Sequence, residues 1–280
     1  MRILFFFAFI LFIGCNKSRT TEEQVSQNES STQSSIDSAT RSSETSTGST
    51  VGRSSDSSTA SVKSKEGFAL DSNQPKLYPI DEAKKDPSFL VFRNALKAAV
   101  SKHDKEYLIS VADSAIRWSF GNGGGVKSFV EHWQLNSPTS AKAKSFWSLL
   151  SQVLEMGGAW STQAPGSFWA PYVYSSWPET GNYDPFEHAA ITSKDVPVYK
   201  SSNAASTVIG RLSYDIVKVL DRGHLEEAKP HSPTTFVKVK SYNGVVGYVT
   251  KDHLWSPIDY RAGFMKKQGK WKLSAFVAGD

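Results

Sequence analysis

Cysteine is almost missing from this chain: 280 residues hold one, Cys15. A single thiol excludes disulfides within the chain, cysteine-based zinc sites and CxxC redox chemistry. Its place near the N-terminus leaves the body of the chain without the nucleophile of a Cys–His hydrolase. Long apolar runs are scarce as well. The longest, from Ile3 to Gly14, falls well short of the roughly 20 residues needed to cross a bilayer. Charge of one sign is weak too: the net charge of +5 is scattered, and no basic stripe points to nucleic acid. The histidines, His103, His132, His188, His224, His231 and His253, include no HExxH and no helical ligand pair, so no metal is indicated. No Gly-x-Ser-x-Gly occurs. The Gly121–Gly125 run lacks the Gly-Lys-Ser/Thr ending of a phosphate loop and is expected to be a tight turn. One carboxylate combination, Glu131 with Asp184 or Glu187, is the sole glycosidase-type candidate. On these grounds the chain is expected to be non-catalytic and free of cofactor.

What is there begins with a leader. Arg2 is followed by an apolar stretch of signal-peptide length that ends Phe12-Ile13-Gly14-Cys15. This ending resembles the bacterial lipobox, with Phe12 in the place usually held by Leu. The resemblance implies cleavage before Cys15 and acylation of its sulfur. Each buried CH₂ of such a lipid is worth about 0.8 kcal/mol of membrane attachment. Asn16 rather than Asp after Cys15 implies the outer membrane by the usual sorting pattern of such lipoproteins. The leader is thus residues 1–15.

Residues 16–65 are about half Ser and Thr, with almost no large apolar side chain. Such a segment cannot bury enough surface to offset the entropy of ordering. It is expected to be a disordered tether averaging roughly 40 Å end to end.

A helix-rich segment, 75–188, follows. Phe89, Phe92, Leu96, Ala99 and Val100 fall at helical spacing behind Asp86-Pro87. Asp104 is placed to cap a second helix through Val111. Ile116 to Phe120 is expected as a short extended piece, and Val126–Trp133 and Ser145–Met156 as two more helices. The aromatic stretch from Phe168 to Pro178 is expected as a loop packed on the surface. A platform for sugar rings or peptide is the sharper alternative.

From Ala190 the period of hydrophobicity becomes two. Pro197–Tyr199, Thr207–Leu212, Asp215–Leu220, Phe236–Lys240 and Val245–Val249 alternate, and Asn243-Gly244 is a strong hairpin turn. Several short strands at this spacing predict a small closed barrel. The stretch resembles the bacterial SH3 (SH3b) family. Val208-Ile209-Gly210-Arg211-Leu212 matches its second element and Val217-Lys218-Val219-Leu220 its third. Phe236-Val237-Lys238-Val239 stands for its fourth, and Gly244-Val245-Val246-Gly247-Tyr248-Val249 with Leu254 for its closing motif. The family's opening motif departs here, at Val196–Ser202, and an insertion from Arg222 to Thr235 lengthens one hairpin. The resemblance implies a ligand groove among surface aromatics, with Tyr199, Tyr214, Phe236, Tyr248 and Trp255 as candidates. The plainer reading of Phe236 and Tyr248 is as barrel core, while Tyr199 and Trp255, near strand ends, are expected to be partly exposed.

The last segment, 257–280, alternates through Tyr260, Ala262 and Phe264, turns at Gln268-Gly269, and returns through Trp271, Leu273, Ala275 and Val277. A lone hairpin is not stable in water, so Trp271 and Phe276 are expected to be buried against the helices.

The expected fold class is α+β: a helical segment completed by the C-terminal hairpin, with a small SH3-like barrel at 189–256. The expected function is a lipid-anchored envelope protein that binds cell-wall peptide (peptidoglycan) or another envelope protein. The alternatives are an envelope hydrolase targeted by the barrel and a surface adhesin-like protein.

Overall fold

Residues 75–121, 123–221 and 235–279 are described by a computed structural model of the chain. The leader with Cys15, the tether 16–65 and residues 222–234 of the insertion lie outside the described residues. Helix α1 (Pro87–Ser101) starts where Asp86 accepts the Ser88 and Phe89 N–H groups at 2.8 and 3.1 Å, with proline at the first position. Helix α2 (Lys105–Val111) is capped by Asp104, which takes the Tyr107 N–H at 2.9 Å. Strand β1 (Ala112–Arg117) follows without a turn, then α3 (Val126–His132) and α4 (Ala141–Glu155). Ser140 caps α4, whose buried Ala143, Phe146, Trp147, Leu150, Val153 and Leu154 form one helical stripe. Strands β2 (Ala159–Trp160) and β3 (Ser167–Ala170) and the one-turn helix α5 (Tyr172–Ser175) complete this part.

Seven strands come next: β4 (His188–Ile191), β5 (Val196–Tyr199), β6 (Val208–Leu212), β7 (Ile216–Val219), β8 (Phe236–Lys240), β9 (Val246–Thr250) and β10 (Leu254–Trp255). The chain then returns through the hairpin β11 (Arg261–Lys267) and β12 (Lys270–Val277). The architecture is α+β, with two sheets and, among the described residues, five α-helices. No helix of the described residues is long and apolar enough to cross a membrane.

The hairpin lies in the middle of the first sheet, whose order is β1-β12-β11-β3-β2. It pairs antiparallel with β3, and β12 pairs parallel with β1. Trp271 is 8% exposed and Phe276 fully buried. Trp271 meets Phe89 at 4.9 Å between ring centres, and Phe276 meets Trp133 and Phe146 at 5.7 and 5.4 Å. The helices and this sheet thus share a core dense in rings.

The second sheet has the order β10-β4-β7-β8-β9-β5-β6. The expected closed barrel is not what its hydrogen bonds draw. Strands β10 and β6 are free edges of the sheet, and β5 meets β9 through one aligned pair, Tyr199 with Tyr248. Its core is aliphatic: Ala189, Ile191, Val196, Val198, Leu212, Val217, Val219, Val237, Val239, Val249 and Leu254. At one end the opposite face, with Ala190, Ile216 and Trp255, belongs to the larger core. The segment before α1 fastens the same seam. Leu77 donates to the Tyr214 carbonyl at 2.8 Å, and the Lys76 ammonium meets the buried Asp215 carboxylate at 2.8 Å.

Several expectations need correction. Strand β1 begins at Ala112, directly on the end of α2, and its Ala112 and Ile116 enter the core shared by the helices and the sheet. The aromatic stretch 168–178 is not simply a surface loop. It supplies β3 and α5, and Phe168 and Tyr172 are wholly buried. The seven-stranded sheet gains β4, where Ala189, Ala190 and Ile191 are all buried and do not alternate, and the two-residue β10.

Candidate functional site

The outward face of the seven-stranded sheet follows from register. Along β8, Val237 and Val239 point to the aliphatic core, so Phe236, Lys238 and Lys240 point away from it. Their antiparallel partners on β9 are Thr250, Tyr248 and Val246. Tyr199, opposite Tyr248, joins this face across β5. The rings of Tyr199 and Phe236 meet edge to face, 5.6 Å apart at 85°. Gly247 allows this convergence: a Cβ there would lie 2.5 Å from a Val198 methyl carbon and 2.8 Å from the Tyr199 carbonyl oxygen. A glycine is needed for β9 to approach β5 this closely. Tyr199, Phe236 and Tyr248 are each half-buried and belong to neither core. The expectation that Phe236 and Tyr248 fill a barrel core is therefore corrected. Their register puts them on the wrong side of the sheet.

Beside the rings runs a basic row. His188 pairs with Lys218, and Lys218 with Lys240, so three basic side chains stand in line across β4, β7 and β8. Like charges directly opposite each other destabilise a strand pair. Glu187 relieves Lys218 at 2.7 Å, whereas Lys240 has no carboxylate partner among the described residues. This row lines a hollow of about 360 Å³ with Pro75, Tyr183 and Tyr242. Tyr242 stands at the tip of the β8–β9 hairpin and is 60% exposed. The tip is the Asn243-Gly244 turn, closed by the Gly244 N–H on the Ser241 carbonyl at 3.0 Å.

The other two candidates lie elsewhere. Tyr214 has a positive φ of 60° and rests on Tyr78, ring centres 5.6 Å apart, in the seam with the segment before α1. Trp255 is 7% exposed and belongs to the larger core, with the Lys251 ammonium 5.6 Å from its ring. Its expected surface position is thus overturned. β10 pairs with β4 where that strand packs on the helical part, so a ring at the strand end is covered rather than free.

Of the glycosidase-type carboxylates, Glu131 on α3 lies 4.0 Å from the Lys127 ammonium, and Glu187 is held by Lys218. No group of three or more His, Cys, Asp or Glu among the described residues is placed to hold a metal ion. His132 lies flat on Trp118, ring centres 4.1 Å apart, and burial together with the nearby Lys142 charge lowers its pKa. Tyr172 is raised well above the ordinary tyrosine value by burial, with Tyr214 adding to the shift. Neither group stands in the outward face. The face offers rings beside basic side chains.

The basic row is what sequence reasoning missed. Its members lie far apart in the chain, and only the pairing of β4 with β7 and of β7 with β8 aligns them. Compared with known protein families, characterised proteins and solved structures, the chain finds no match.

Proposed function

We propose that this chain is a lipid-anchored, non-catalytic protein of the bacterial cell envelope, attached to the outer membrane through Cys15. In this reading residues 16–65 are a tether, and the seven-stranded sheet is an SH3b-like module that binds cell-wall peptide. The observation that carries the reading is the outward face of that sheet. Tyr199, Phe236 and Tyr248 are spared from both cores and stand next to the line of His188, Lys218 and Lys240. Half-exposed rings on a rigid sheet give a ligand large contact area with little ordering cost. The adjoining cations suit a peptide that carries carboxylates.

The test uses a sugar-free wall stem peptide titrated into the full chain. Tyr199→Ala and Phe236→Ala should each weaken binding about tenfold, a loss on the scale of one interface anchor. Lys240→Ala should weaken it mainly at low salt. A parent chain that does not bind the peptide, or variants that bind it equally well, would overturn the reading of the sheet. The anchor is tested apart from it: the parent should partition into detergent, and Cys15→Ala should not.

A further inference from the structure

The first sheet holds an aromatic hollow that the peptide reading leaves unused. It lies between the β2–β3 loop and the segment after α5 and has a volume of about 250 Å³. Trp160, Trp169, Tyr174 and Trp177 line it. Three of these rings are fixed by contacts outside the hollow. Trp160 donates its indole N–H to the Glu82 carbonyl at 3.1 Å, and Trp177 donates to the Tyr183 carbonyl at 2.9 Å. Trp169 lies flat over Gly263, its cross-strand neighbour, where a Cβ would come within 2.8 Å of the ring. Only glycine gives that ring a seat on β11. Trp169 also packs on Tyr174, ring centres 5.3 Å apart.

The rim is polar and unspent. Thr162, Gln163 and Glu179 are exposed and line the hollow. Among the described residues their side chains make no hydrogen bond or ion pair, and the indole N–H of Trp169 donates to nothing. Fixed rings with free donors and acceptors around them match a ligand that has an apolar face and a polar edge. A pyranose ring has that form, with its C–H face to stack on an indole and its hydroxyls at the rim.

A cation is the other ligand that aromatic rings attract. One wall of such a cage is already taken, because the Arg261 guanidinium lies 4.7 Å from the centre of the Tyr174 ring. The hollow is small by the standards of small-molecule sites, which run to about 300–1,000 Å³. It therefore holds one or two rings of a chain that continues into solvent.

We propose that this hollow is a carbohydrate site for a β-linked oligosaccharide stacked on Trp169 and Trp177 and hydrogen-bonded by Gln163, Glu179 and Thr162. The inference does not rest on the peptide reading, since its residues lie on the other sheet.

The probe is a β-1,4-linked N-acetylglucosamine tetramer titrated into the full chain while tryptophan emission is followed. A saturable change in emission is expected. Combining Gln163→Ala with Glu179→Ala removes two exposed side chains without other partners, so the fold stays intact. Binding should then weaken about tenfold, the loss expected of two hydrogen bonds. Trp177→Ala should abolish binding, and Tyr199→Ala on the other sheet should leave it unchanged. The proposal is overturned if the tetramer gives no saturable change, or if the double variant binds like the parent. It is also overturned if tetramethylammonium gives the saturable change and the sugar does not, which would make the hollow a cation cage.

Discussion

The two cores of this protein are made of different material. The core between the helices and the five-stranded sheet is crowded with rings: Phe89 alone meets Phe92, Trp160, Phe168, Phe264 and Trp271, with ring centres 4.5 to 6.1 Å apart. Among the described residues, the core of the seven-stranded sheet contains no aromatic residue, only Ala, Val, Leu and Ile. The physical reason is the width of the gap to be filled. A helix packed on a sheet leaves space that large side chains occupy, while a small sheet curling on itself leaves room for little more than valine. The lesson concerns function. In the first part most aromatic residues are spent on stability, so an aromatic there is informative only where it escapes the core, as Trp169 and Tyr174 do at the hollow. In the second part Tyr199, Phe236 and Tyr248 are left outside both cores, whereas Trp255 is given to the larger core.

Three measurements sharpen or break this contrast. The largest effect is expected for Phe89→Ala, which empties the centre of the ring cluster and should cost about 3–5 kcal/mol in denaturant unfolding. Phe236→Ala, on the outward face of the other sheet, should cost less than about 1 kcal/mol. Equal losses would erase the distinction between spent and spare rings. Next comes Trp255→Ala. As a groove residue it would be nearly silent in stability. As a ring 7% exposed in the larger core, it should destabilise the fold by about 3 kcal/mol, with unchanged unfolding counting against the buried placement.

The smallest effect is a pH dependence confined to acid. Burial raises the Asp81 carboxyl, but the hydrogen-bonded Arg93 fork at 2.6 and 2.7 Å and the Ala83 N–H outweigh it, and the net pKa is lowered. Asp113 behaves alike: burial raises it, and Lys267 with the Ala115 N–H brings it down. Asp86 is held at about 2, chiefly by the Ser88 hydroxyl and then the Phe89 N–H it caps. A carboxyl depressed in the folded state adds stability above its unfolded pKa and loses that contribution as pH falls through the folded value. Unfolding free energy should therefore be flat with respect to these groups near neutrality and fall below about pH 4. Asp81 and Asp113 serve the helical part, so Asp113→Asn should shallow that acid slope. A slope of the same steepness in the variant would remove Asp113 from the account.

Local signals were legible where one residue does the work. Asp86-Pro87, Asp104 and Asn243-Gly244 marked a helix start, a cap and a turn because each acts on its own neighbours. The alternation of Phe236–Lys240 showed a strand but not which side of it faced inward. Propensity favoured the ring as core, and register put the valines there instead. Trp255 misled for the opposite reason. A strand end is exposed only if nothing packs on it, and β4 with the helical part covers this one. The row of His188, Lys218 and Lys240 had no sequence signature, since Lys218 and Lys240 are separated by a whole hairpin and its insertion.

By itself, the sequence determined composition and local geometry: a chain with one thiol, a Ser/Thr-rich stretch without core-forming residues, an α-helical half, a β-rich stretch with period two, and a final hairpin too apolar to stand alone. These follow from backbone sterics, capping and the alternation of side chains, all of which act over a few residues. Tertiary structure alone decided that the hairpin enters the middle of the first sheet, that seven strands form an open order, and which rings are buried. It also decided that three basic side chains stand in line and that Trp169 finds its seat on Gly263. Each of these is a contact between residues far apart in sequence, fixed by strand register and by the space left between packed layers, and no local pattern encodes either.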